Sequence, residues 1–147
     1  MKMTNEEYGK FISSNAPKSP LGRDMLLAFV IGGLICCVGQ AIFSLWSLAG
    51  LDEEAAAGAE SISMVFLGAL LTGLGVYDNI AKYGGAGTLV PITGFANAVV
   101  SPALEFKAEG IITGLAAKIF TIAGPVIVFG NVAGVVYGLI LALFRAV

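Results

Sequence analysis

The residues able to do chemistry are few, and nearly all stand at the ends of apolar runs. Asp78, Asn79 and Lys82 precede one run and Asn97 lies inside it. Glu105, Lys107 and Glu109 follow it, and Asn131 lies inside another. Histidine is absent, which removes the commonest general base and the commonest metal ligand. Cys36 and Cys37 are adjacent inside a third apolar run. A disulfide between neighbours is strained and two thiols alone make a poor metal site, so both are assigned to a helix-packing face. No nucleophile–base pair and no tight acidic cluster is visible, so no catalytic residues, metal site or cofactor are expected, and the chain does not read as an enzyme. Amides and charges in apolar surroundings have another use. They need partners, or they mark the path of a polar solute.

The surroundings are apolar throughout. Of the 147 residues 57% are hydrophobic and 12% charged, against roughly 25% charged in a soluble domain, and lipid must cover part of this surface. The net charge of −2, with no cluster of Lys and Arg, excludes a nucleic-acid partner and leaves the lipid bilayer as the first one.

Between Lys82 and Glu105 lie 22 consecutive uncharged residues, enough to cross a bilayer, yet they include Gly84, Gly85, Gly87, Gly94, Pro91 and Pro102. A regular helix does not run through "YGGAGTLVPITGF". Two arrangements fit: a surface loop followed by a short helix, or a discontinuous span. Irregular backbone at membrane depth is tolerated only where protein or water covers it, so the second would line a cavity. On that reading the candidate pore-lining residues are Asp78, Asn79, Lys82, Gly84, Gly85, Gly87, Asn97, Glu105, Glu109 and Asn131. Glu105 and Glu109 are four apart and would share a face of a helix. Charges at span ends are also ordinary solvated anchors.

The elements that must hold these residues are read from the runs. A polar arm covers 1–25, with Pro17 and Pro20 before the membrane; it is expected to be a short amphipathic or irregular segment at the surface, and not a cleaved signal. A membrane domain covers 26–147, with spans at about 26–50, 61–77, 84–104 (broken) and 119–144. The fold class is all-α, a polytopic integral membrane protein with about four crossing segments, the third discontinuous. In the first span Gly32, Cys36, Gln40 and Ser44 recur every four residues and are expected to face a neighbouring helix, with Trp46 at the interface. Asp52, Glu53, Glu54 and Glu60 form an acidic loop. Gly124–Pro125 implies a kink or a delayed start in the last span. Beyond it Gly130, Gly134 and Gly138 follow a GxxxGxxxG spacing, a helix-packing ridge whose partner is this chain or another. With four crossings and cytosolic termini, six of the eight basic residues are cytosolic, Lys107 and Lys118 being the exceptions; three crossings would put the C-terminus outside.

The stretch "LLTGLGVYDNIAKYGGAGTLVPITGFANAVVSPALEFKAEG", with "GGLICCVGQ" at Gly32 to Gln40 and "AGPVIVFG" at Ala123 to Gly130, closely resembles the family of stage V sporulation proteins AC and AEB, small membrane proteins of spore-forming Firmicutes. The resemblance covers about Leu26 to Leu143, and the polar arm is more like the AC branch than the shorter AEB branch. It implies a part in moving dipicolinic acid, as its calcium chelate, across the spore inner membrane in sporulation and germination. It also implies a channel-forming role with possible opening by tension, and partners from the same operon: the AEB paralogue and the dipicolinate-binding AD protein. A four-span chain is small for a pore, so an oligomer is expected. The competing reading is a non-conducting membrane scaffold that docks the other dipicolinate-transport proteins.

Overall fold

The computed structural model describes residues 4–15 and 20–145; Lys2, Pro17 and Lys18 lie outside them. Every regular element among the described residues is helical. The arm carries a helix, α1 (Asn5–Asn15). Thr4 and Glu7 start it with a reciprocal cap: the Thr4 N–H donates to Glu7 Oε2 (2.9 Å) and the Glu7 N–H to Thr4 Oγ1 (3.4 Å).

α2 (Leu21–Leu48) begins immediately after Pro20, five residues before the expected span. Its buried face is turned relative to the expected stripe. Gly39 is buried and Gly32 half-buried, but Cys36, Gln40 and Ser44 are exposed, as is Cys37. The Ser44 hydroxyl turns back onto the Gln40 carbonyl (2.9 Å), which satisfies it without a second helix. Of that stripe Gly32 alone is in close backbone contact with a neighbouring element; Cys36 and Gln40 are exposed along a cleft shared with α3, and neither cysteine is a buried packing residue.

The acidic loop is the start of a helix. α3 (Glu53–Gly73) is capped by Asp52, whose carboxylate accepts the Ala55 N–H (3.3 Å), and Glu53 and Glu54 sit in its first turn, where the helix dipole favours negative charge. Glu60 is thus two turns inside α3. α2 and α3 form an antiparallel pair, tied near their linked ends by the Trp46 indole donating to Ser63 Oγ (3.2 Å).

The glycine-rich segment is discontinuous, as its breakers require, and folds into three short helices: α4 (Tyr77–Gly84), α5 (Ala86–Leu89) and α6 (Ile92–Glu105). Gly85, at φ 47° and ψ −122°, turns the chain between α4 and α5 in a conformation L side chains avoid. α6 runs alongside α3 in the same direction. Pro91 and Ile92 share a cleft with Met64; Gly68 meets Thr93 and Ala96; Thr72 meets Asn97. The segment therefore enters just past the end of α3 and leaves beyond that same end, with its turn at the level of Gln40 and Glu60. It is a hairpin whose two ends both lie at that end of α3, where a discontinuous segment running the length of the other helices was expected.

After α6 a 3-10 turn (Lys107–Glu109) and a π-helical turn (Ile111–Ala116) lead into α7 (Ala117–Arg145). Lys118 Nζ lies 3.7 Å from the centroid of the Phe106 ring, fixing the corner. α7 passes through Pro125 without a delayed start. Its first two turns pack on α6, and from Pro125 onward every described residue is exposed. Among the described residues the helices long and apolar enough to cross a membrane are α2, α3 and the continuous stretch Ile111–Arg145.

Candidate functional site: a hairpin within the membrane domain

The hairpin seats itself by close backbone approach. A Cβ at Gly87 would overlap the Ala28 carbonyl of α2, and one at Gly32 would stand 3.0 Å from the Gly87 carbonyl oxygen. Gly87 has no room for a side chain, and at Gly32 even a methyl would press on the neighbouring backbone. On the other arm a Cβ at Gly68 would stand 2.9 Å from the Thr93 carbonyl oxygen, and one at Gly94 would overlap the Thr88 carbonyl. Small-residue contact of this kind drives helix association where lipid is as apolar as the side chains.

Breaking the helix frees backbone polar groups, and hydroxyls collect them. Tyr77, at 3% exposure, donates its hydroxyl to the Thr88 carbonyl (2.7 Å) and lies 2.9 Å from Thr93 Oγ1, which donates in return because the phenol has one proton. One side chain thereby joins both arms. Thr88 Oγ1 caps the turn at the Gly85 carbonyl (2.9 Å). Thr72 donates to the Gly68 carbonyl (2.7 Å) and lies 2.8 Å from the Asn97 amide oxygen position; with the hydroxyl proton committed, the amide serves Thr72 as donor. No buried side-chain polar atom among the described residues lacks a partner.

The expected site residues divide into three groups. Gly84, Gly87 and Asn97 are inside the hairpin's contacts; Gly84 is buried, its Cβ position 2.9 Å from Ile31 Cγ2. Asp78, Asn79, Lys82 and Gly85 are exposed along the entering arm, Asn79 donating to the Gly75 carbonyl (3.0 Å), and Lys82 and Gly85 edging a depression with Asp24 of α2. Glu105 and Glu109 are exposed at the exit, but α6 ends at Glu105 and Glu109 is in the 3-10 turn, so they do not share a helical face. Asn131 is remote, exposed on α7 beside Gly130, Gly134 and Gly138, whose Cβ positions meet nothing within 4 Å. Sequence reading missed Tyr77, Thr88 and Thr93 as the hairpin's core. Their signal was hydroxyls flanking the Gly/Pro breakers, where unpaired carbonyls must arise.

The family described as SpoVAC/SpoVAEB sporulation membrane protein matches residues 24–140, a range that contains most of α2, all of α3 and the hairpin, and most of α7. The chain belongs to this family. A curated member, stage V sporulation protein AC of Bacillus subtilis (strain 168), is 42% identical over 141 residues, covering 94% of this chain and 94% of the relative. No solved structure matches. Membership makes this a sporulation membrane protein, in agreement with its three long apolar helices.

Proposed function

We propose that this SpoVAC/SpoVAEB family member is a channel subunit that moves dipicolinic acid, as its calcium chelate, across the spore inner membrane, and that the hairpin 77–105 lines the route. The observation that carries the reading is a hydroxyl- and glycine-rich hairpin entering and leaving at one end of the α2–α3 pair, its turn at a largely apolar cleft that also holds Gln40 and Glu60. Irregular backbone at membrane depth is sustained where protein or water covers it, and a channel would supply water on the side the protein leaves open.

The same path supports a topology. Three crossings and a hairpin put the arm and the connection 74–118 on one face, so seven of the eight basic residues are cytosolic and only Arg145 is not. The two exceptions left by four crossings, Lys107 and Lys118, are thereby absorbed. The C-terminus then lies on the opposite face from the arm.

Four clefts among the described residues are open grooves on the sides of the single chain, and none of them is an enclosed passage. An oligomer completes the pore, and the open glycine ridge of α7 is the surface offered. Glycine-lined contacts slide with little steric cost, which suits opening by tension. The scaffold reading draws on the same open grooves, with the AEB paralogue and the AD protein as docked partners. Dipicolinate release from liposomes holding the purified chain alone, with and without applied tension, separates the two: release that rises with tension supports the channel, and none in either condition leaves the scaffold.

A further inference from the structure

The second half of α7 carries one polar group that its own chain leaves without a partner. Asn131 is the only side chain bearing a charge or an amide between Lys118 and Arg145, thirteen residues after the one and fourteen before the other. About 20 Å of helical rise separates it from either charge, near the middle of a stretch long and apolar enough to cross a membrane. Its side chain is exposed and makes no hydrogen bond among the described residues. The Asn79 amide, by contrast, is settled on the Gly75 carbonyl one turn back (3.0 Å). An amide in lipid has no water to turn to, and asparagine is too short to reach the interface from that depth.

The face around Asn131 suits a second helix. Gly134 and Gly138 follow at i+3 and i+7, on the side of α7 that carries the amide, and a Cβ at either would meet nothing within 4 Å. Helices that meet over such residues approach closely enough for short polar side chains to bond across them. Copies inserted in one orientation and related by rotation about the membrane normal hold each residue at the depth of its twin. Asn131 of one copy therefore meets Asn131 of the next, and an amide, with donors and an acceptor, is its own complement. We infer that α7 packs against α7 of a second copy, with the two Asn131 side chains hydrogen-bonded across the seam. The inference rests on the oligomer of the channel reading and gives it an interface. Its readout is association, so paired chains that pass no dipicolinate would refute the channel and leave the pair standing.

The seam can be read by cross-linking the full-length chain, in Cys36→Ser/Cys37→Ser background, diluted in liposomes. Ile127→Cys places a thiol one turn before Asn131 on the same face, and Phe129→Cys places one on the opposite face. With a membrane-permeant oxidant, Ile127→Cys should give a disulfide-linked dimer and Phe129→Cys several-fold less. Adding Asn131→Ala to Ile127→Cys should lower the yield several-fold, while Asn131→Gln, which keeps an amide, should retain most of it. Asn131 bonds to nothing in its own chain among the described residues, so Asn131→Ala should unfold in detergent as the unsubstituted chain does, which separates lost pairing from misfolding. Equal yields at positions 127 and 129, a yield unchanged by Asn131→Ala, or no dimer at either position, which would leave the face to lipid or another protein, would each overturn the pairing.

Discussion

Tyr77 and Gly87 carry the hairpin at the scale of single residues. Tyr77→Phe keeps the ring but leaves the Thr88 carbonyl and the Thr93 hydroxyl short of a partner in a dry interior, a loss of about 1–3 kcal/mol. Unfolding of the two proteins in the same detergent should show it, and Tyr83→Phe, at an exposed position, should show no change. Gly87→Ala introduces a methyl where the Ala28 backbone already lies, and forced overpacking costs about 1–3 kcal/mol. Outside the membrane, hydrogen bonds from the Thr4 backbone and hydroxyl hold the Glu7 carboxyl below the usual carboxylate range. A lowered value means that Glu7 supports α1 fully above the ordinary carboxylate range, and that this support is lost as pH falls through the lowered value. Amide exchange across α1 should speed up there, and Glu7→Gln should remove that pH dependence.

At the scale of elements, α7 separates what folds this chain from what assembles it. Gly134 meets nothing within 4 Å, so Gly134→Leu should leave the stability of the single chain unchanged. If a second copy packs on the ridge, the same change removes a close contact made of terms of about 1 kcal/mol each, and assembly in bilayers should fall. Val135→Leu, on another face, is the control; equal assembly of the two variants would assign the ridge to lipid. How much of this was legible in the sequence follows from the kind of signal each element leaves. α2 and α7 announce themselves by long uncharged runs, and the breakers at 84–91 require a discontinuity. The boundaries of α3 were hidden because Glu53, Glu54 and Glu60 look like loop residues, when the first two favour a helix start and the third is sheltered by Gly39. The direction of the hairpin was not legible, because a run of 22 uncharged residues has the same composition whether it crosses or turns back. The contacts of Gly68 with Thr93 and of Thr72 with Asn97 decide it, and neither spacing is periodic. The exposed Asp78, Glu105 and Glu109 were legible as polar positions, but nothing in their spacing said which would meet.

At the scale of the whole molecule, the proposed topology of three crossings and a hairpin says where each connection should lie. Cysteines replacing Lys82 and Lys107 should be labelled from the same face as one replacing Lys10, and one replacing Ala55 from the other, with a C-terminal tag accessible from the face of position 55. Labelling of positions 82 and 107 from opposite faces would restore a fourth crossing. The central claim is that the hairpin lines the route of the solute, and Val90 is the residue to probe, since it sits at the turn with 84% of its surface exposed. The most direct measurement is dipicolinate flux from liposomes holding a Cys36→Ser/Cys37→Ser/Val90→Cys chain, before and after a water-soluble thiol reagent. Flux that stops on modification, while the same reagent on an Ala55→Cys control leaves it running, is the predicted result; flux that continues through a fully modified position 90 would contradict it.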